Sequence, residues 1–461
     1  MNIKCNKKIH YFIFLLIFLF SFYNSSISSY CYNNQLNLKL KTKLEYNRNL
    51  SSNNGFISND EYNIIWFIQI SDTQFLWYDD KKIADFYKFL NETYRIIKPL
   101  FIYNTGDLVD ASYGLQQNKQ EWLLYKKALE DNNMNSSIYM DIIGNHDAIN
   151  DPNFTYFLNY SLGGRTFNVT QYSFNKTFSF GKYAFIGLNT AKELYNMFEF
   201  SFQGFLSSKE MDWYENELKK YDNFSNIFVF GHHPPNYPPF YRIISEENFN
   251  GKDFYKLNRE YNVSFYLSGH IHINTFQYYN ELLTITTANF DQENGTYRII
   301  SLDNNHLSTC LGYLGDWPQA LITYPASEQY LFEDLNDIKK IRILAWDPEE
   351  IKSVKWSLFN TQGDYQLIHW KSLKRISNNV ELWEGYLDFN YRGNLLLKIQ
   401  VEGNSGTKIM ELKYNVKNQI STFSLFIAIL MTFGLAAISI TITYYLSIQT
   451  NKNKKKGRNK P

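Results

Sequence analysis

The chain has 461 residues, enough for a sizeable core and for two domains. Its 46 basic and 45 acidic side chains leave a formal charge of +1, so nothing in the whole-chain balance asks for a polyanionic partner and no nucleic-acid binding is expected.

Lys4, Lys7 and Lys8 precede the apolar run YFIFLLIFLFSFY, which is short for a membrane span and suits the core of a signal peptide. The small residues of NSSISS follow, placing cleavage near Ser28 and a signal peptide over 1–28; an uncleaved signal anchor is the alternative. Residues 29–60 are polar, Asn-rich and without clear period, a linker or arm.

A first domain is expected over 61–315. Short apolar runs (NIIWFIQIS, PLFIYNTGD, SSIYMDIIGNHD, YAFIGLNT, NIFVFGHH, VSFYLSGHIH) alternate with helix-like stretches at 81–97, 117–130, 207–221 and 252–261. Such alternation predicts an α/β fold with layered helices and sheet. Over 320–417 the pattern changes to β-type runs: IRILAW, SVKWSLF, YQLIHW, LWEGYLDF, LLLKIQVEG and IMELKYNV, separated by turn signals. That predicts a small all-β sandwich, immunoglobulin-like in size, acting as a spacer or docking surface.

Residues 420–448 contain no charged side chain and are long enough to cross a bilayer as a transmembrane helix. The basic tail 449–461, NKNKKKGRNK and its flanks, is expected to stay cytosolic and to leave the preceding domains lumenal or extracellular. N-x-Ser/Thr triplets at Asn49, Asn91, Asn135, Asn153, Asn159, Asn168, Asn175, Asn223, Asn262 and Asn294 agree with a glycoprotein of the secretory pathway or cell surface. Cys5 lies in the signal region, leaving Cys31 and Cys310 able to pair if the fold brings them together.

Five polar clusters close the apolar runs: Asp72-Thr73-Gln74, Gly106-Asp107-Leu108-Val109-Asp110, Gly144-Asn145-His146-Asp147, Gly231-His232-His233-Pro234 and Gly269-His270-Ile271-His272. Taken singly, an Asp after a strand is a helix cap, GNHD a turn and GHHP a loop. GHIH is stronger, because a strand would put His270 and His272 on one face. Together they are a costly gathering of Asp, Asn and His unless a cation satisfies them. In open α/β sheets the carboxyl ends of the strands open onto one crevice, where such residues converge.

In this order the clusters resemble the DxH, GDxxD, GNHD, GH and GHxH blocks of the calcineurin-like metallophosphoesterase superfamily, over residues 63–305. EWLLYKKAL, DIIGNHDAIN, WPQALITYP and IRILAW are further similar to a narrower group, the transmembrane protein 62-like proteins. The resemblance implies a layered α/β/β/α domain and two divalent metal ions, Mn, Fe or Zn from mixed N/O ligation. Asp107 would bridge both ions; Asp72, Gln74 and His272 would hold one, and Asn145, His232 and His270 the other. His146 would stabilise the phosphoryl group or protonate the leaving oxygen, and Asp147 would orient His146. Asp110 would fix its loop, and His233 would line the pocket. The implied reaction is hydrolysis of a phosphomonoester or phosphodiester by direct attack of metal-bound water.

Gln74 departs from the superfamily pattern, which has His there. An amide oxygen is a weaker ligand than imidazole for zinc-like metals and acceptable to Mn or Mg. CDP-alcohol and ADP-ribose diphosphatase-like branches also read Asp-x-Gln, so the change is compatible with turnover. The competing reading is a metal-binding ectodomain that serves recognition; the His146–Asp147 pair favours the enzyme.

Overall fold

A computed structural model describes residues 62–111, 116–191, 203–237, 241–292, 295–325, 340–360, 365–376, 381–386 and 393–416. The expected signal peptide, linker, transmembrane helix and basic tail lie outside these, as does Cys31. Among the described residues no helix is long and apolar enough to cross a membrane.

In chain order the first strands are β1 (Ile64–Ile70), β2 (Ile102–Asn104), β3 (Tyr139–Asp141), β4 (Tyr172–Phe178), β5 (Gly181–Gly187), β6 (Gly204–Leu206), β7 (Asn226–Phe230), β8 (Ile243–Ser245), β9 (Phe265–Ser268), β10 (Thr275–Tyr279), β11 (Leu282–Thr286), β12 (Thr296–Asp303) and β13 (His306–Tyr313). Two mixed sheets result, ordered β13-β12-β1-β2-β3 and β10-β11-β9-β7-β5-β4. The strands that carry the polar clusters pair in parallel: β1 with β2, β2 with β3, and β7 with β9.

β1 is buried along its whole length because both of its faces are covered. Ile64, Trp66, Ile68 and Ile70 face the helices at 80–97 and 119–131, while Ile65 and Phe67 face the second sheet. Between the sheets lies an aromatic core of Phe67, Phe101, Phe185, Phe228 and Phe230, each burial worth roughly 1.5–3 kcal/mol. On the far face of the second sheet the helices Ser208–Lys220 and Phe254–Glu260 complete the α/β/β/α order.

The helices follow from their sequences. In Lys119–Asp131, Trp122, Tyr125, Ala128 and Leu129 form one buried stripe, and the Asn118 side chain caps the first turn by accepting from Gln120 N. Ser207 and Glu210 form a reciprocal capping box at the start of Ser208–Lys220, with Met211, Tyr214, Glu215 and Leu218 on the buried face. The segment 148–180 contains the helices Thr155–Tyr160 and Leu162–Phe167 and the whole of β4, none of which the sequence pattern singles out. Short helices of this length carry too few turns to show a 3.6-residue period.

Beyond residue 318 come β14 (Gln319–Tyr324), β15 (Lys340–Trp346), β16 (Ile351–Asn360), β17 (Gln366–Ser372), β18 (Lys374–Arg375), β19 (Leu382–Tyr386), β20 (Gly393–Gly403) and β21 (Thr407–Val416). They make two four-stranded sheets, β14-β15-β19-β18 and β17-β16-β20-β21, packed around Ile343, Val354, Trp356, Leu397 and Ile399. Alternation along β15 explains how this unit meets the first: Ile341, Ile343 and Ala345 point inward, while Leu344 and Trp346 join the core containing Trp66. Trp66 and Trp346 lie 6.1 Å apart by ring centroid. The β-rich unit is therefore joined to its neighbour through a shared core.

Candidate metal centre

All five clusters follow the carboxyl ends of β1, β2, β3, β7 and β9. The first two loops run side by side: Asp72 N donates to the Gly106 carbonyl and Gln74 N to that of Asp107, each at 2.9 Å. Asp72, Gln74, Asp107, His270 and His272 all have positive φ, between 41° and 70°. Each such non-glycine residue costs about 1–3 kcal/mol and persists only where its surroundings hold it. Five of seven expected ligands in that state mark the site as built for something other than folding. The positive φ of the two histidines also corrects the GHIH expectation, since β9 ends at Ser268 and both histidines stand on the turn beyond it. Glycine is needed beside them: a Cβ on Gly269 would overlap Ser71 Oγ and the Asp72 carboxylate, and Gly106 has φ +100° with His232 at its back.

Asp107 is central. Its Oδ2 lies 3.1 Å from His232 Nε2 and 3.8 Å from His146 Nε2, and its Oδ1 accepts from His146 N at 2.9 Å. Asn145 Oδ1 is 3.0 Å from the same His232 Nε2. Asp72 Oδ1 is 3.2 Å from His272 Nε2, and its carboxylate accepts from His270 N at 3.0 and 3.2 Å. Donor atoms of Asp72, Asp107 and His232 fall within 4.8 Å of one another, as do those of His232, His233 and His270. Gln74 is buried and joins the site through its backbone bond to Asp107.

The electrostatics favour a cation. Burial opposes ionisation of Asp107, but His232 and His146 beside it hold its carboxyl well below the usual range. Burial likewise disfavours a charged His232, yet the Asp107 carboxylate overrides this and raises the ring to about 9. A ring that so strongly retains a proton beside two carboxylates sits where positive charge is stabilised. His232 Nδ1 donates to the Thr105 carbonyl at 2.9 Å, which directs Nε2 at Asp107 and Asn145. His233 is pushed the other way, first by burial and then by His270 and His232.

Asp147 differs from its expected role. Its carboxylate accepts from the backbone N–H groups of Leu108, Val109 and Gly144 at 2.9, 3.1 and 2.8 Å. It ties the Asp107 loop to the Asn145 loop, while His146 Nδ1 donates to the carbonyl of Asp110, which is what orients that ring. Burial and the nearby Asp107 charge push the Asp147 carboxyl up.

Three supporting residues escaped the sequence reading. Gln69 donates to Thr105 Oγ1 and the Ser268 carbonyl and accepts from Thr287 Oγ1, stapling the two sheets beneath Asp72. A polar residue inside the otherwise apolar β1 was its visible signal. Gln117 donates to the carbonyls of His146 and Ile149, each at 2.9 Å. Glu121, pushed up to about 7 by burial, accepts from Ala111 N. Helical period alone hides both.

The residues present fit divalent metal. Carboxylate, amide-oxygen and imidazole ligand atoms converge, and the buried His233 Nε2 has no hydrogen-bond partner. The cleft above them has a volume of about 400 Å³ and is lined by Asp107, Asn145, His146, Tyr237, Tyr241, His270, Ile271 and His272.

Fold and cluster geometry together define an α/β domain with a candidate metal centre at its strand ends. Residues 65–274 match the family model described as calcineurin-like phosphoesterase. Transmembrane protein 62 of Mus musculus is 28% identical over 319 residues, 63% of this chain and 47% of that protein. A protein of Arabidopsis thaliana, provisionally named a metallophosphoesterase, is 27% identical over 228 residues, 45% of this chain and 30% of its own length. The matched region thus spans less than half the length of these curated relatives. Among solved structures, GAP50, the anchor in the inner membrane complex of Plasmodium, is similar at a TM-score of 0.37 and 14% identity, covering 55% of this chain and 85% of that one. A likeness of that strength carries no functional weight.

Proposed function

We propose that this domain hydrolyses a phosphate monoester or diester with two divalent ions held by Asp72, Gln74, Asp107, Asn145, His232, His270 and His272. The observation that carries the reading is the convergence of five strand-end clusters on Asp107, with His146 beside them in the cleft. Divalent ions bound there would supply Lewis acidity and lower the pKa of water toward neutrality. Asp107 spaces the two halves of the donor set, and Asp147 keeps its loop in register with Asn145. His146, with Nδ1 fixed on Asp110, presents Nε2 to the cleft, where it donates a proton to the leaving oxygen.

A recognition scaffold would hold metal equally well but has no use for an oriented His146. Replacing His146 by Gln is therefore expected to lower kcat on p-nitrophenyl phosphate by ~10²–10⁴-fold while metal content by mass spectrometry stays at the wild-type value. Equal loss of metal and rate would make His146 a ligand instead.

Gln74 sets the metal preference in this account. Rates with Mn are expected to exceed those with Zn, and Gln74→His is expected to shift the ratio toward Zn. An unchanged ratio in side-by-side metal reconstitution would remove Gln74 from the ligand set. On charge bias alone, we further place the domain outside the cytosol as a single-pass membrane protein, tethered by residues 420–448.

A further inference from the structure

All eight described asparagines that head an N-x-Ser/Thr triplet are exposed, whereas of the nineteen other described asparagines between 62 and 305 only seven are. A triplet arising by chance has no reason to seek the surface; an acceptor must lie there. Turn geometry does not account for the difference. Asparagine is favoured at positive φ, yet of the eight only Asn168 and Asn262 adopt it, while Asn133, Asn150, Asn280 and Asn304 do so among the exposed others.

Three of the positions lie at the strand ends opposite the metal centre. Asn135, Asn223 and Asn262 lie just ahead of β3, β7 and β9, at the amino ends of strands whose carboxyl ends carry the ligands. Asn175 stands on β4, an edge strand, where a bulky polar group would block edge-to-edge pairing. None of the eight lines the cleft.

We propose that these asparagines carry N-linked glycans, which clothe the phosphoesterase domain and leave the mouth of its cleft bare. In the transfer, Asn Nδ2 forms a bond to the anomeric carbon of a lipid-diphosphate-linked oligosaccharide. The anomeric C–O bond breaks, the lipid diphosphate leaves, and Nδ2 loses one proton. The inference rests on the domain lying outside the cytosol, and its test separates the two.

The full-length chain would be expressed in a eukaryotic host and its microsomes treated with protease, then with a peptide-N-glycosidase. The expected result is a protease-protected domain whose mass falls on deglycosylation, with the enzyme's aspartate mark at the sequon positions. Asn135→Gln, Asn223→Gln and Asn262→Gln together should remove three steps of that mass while hydrolysis is retained. A protected domain without glycosidase-sensitive mass would overturn the glycan inference and spare the orientation. A protease-accessible domain would overturn the orientation, and this inference with it.

Discussion

Asp107→Asn is expected to abolish metal-dependent phosphoester hydrolysis while leaving the fold intact. Asparagine keeps an oxygen for the His146 N–H but removes the charge shared by His232 and His146. Several kcal/mol of metal-borne charge stabilisation, at about 1.4 kcal/mol per decade, puts the loss at about 10³-fold or more. Metal content should fall in parallel, because no neighbouring carboxylate replaces the link between the two halves of the donor set. The check is kcat/KM on p-nitrophenyl phosphate and its bis-ester, beside metal analysis of the same preparation. A variant with wild-type rate and full metal content would sink the bridging assignment.

Arg342→Met is expected to give the largest loss of stability without touching the centre. Arg342, on β15, pairs with the buried Asp303 at the end of β12 and donates to the Tyr62 carbonyl at 2.8 Å. Asp303 pairs in register with Ile64 at the amino end of β1, the end remote from Asp72. Removing the guanidinium leaves a buried carboxylate without its cation, a change that costs about 3–5 kcal/mol. Burial already raises the Asp303 carboxyl against the pull of Arg342, and loss of the arginine raises it further. An acid whose folded pKa is raised is stabilising in its protonated form. The deficit should therefore be small below the unfolded carboxyl pKa and grow as pH rises through the folded value. Denaturant melts across that range, with Asp303→Asn/Arg342→Met as the compensating pair, test this; equal losses at pH 4 and pH 8 would contradict it.

How far the sequence foretold the structure depended on the range of each interaction. β1, β2, β7 and β9 were readable because an apolar run closed by a polar cluster is a local pattern. The helices Lys119–Asp131 and Ser208–Lys220 fall close to the helix-like stretches at 117–130 and 207–221, because a buried helical stripe is also a local pattern. His270 and His272 were misplaced onto a strand because alternation describes both a strand and a turn of two left-handed histidines. The resemblance gives Asp147 to His146, but its partners are the amides of Leu108 and Val109, 39 and 38 residues away, and that of Gly144 in its own loop. The fusion of the β-rich unit through Trp346, Leu344 and Arg342 was invisible for the same reason: alternation names the outward residues of β15 without naming what they meet. Gly269, packed against Ser71 and Asp72, shows what a glycine ahead of a polar cluster permits.

The most direct test of the central claim is a metal titration of the detergent-solubilised full-length chain, stripped of metal and refilled with Mn while phosphodiester hydrolysis is followed. Activity is expected to rise from near zero and to saturate at two ions per chain. Saturation at one ion, or hydrolysis that persists in the stripped protein, would contradict it.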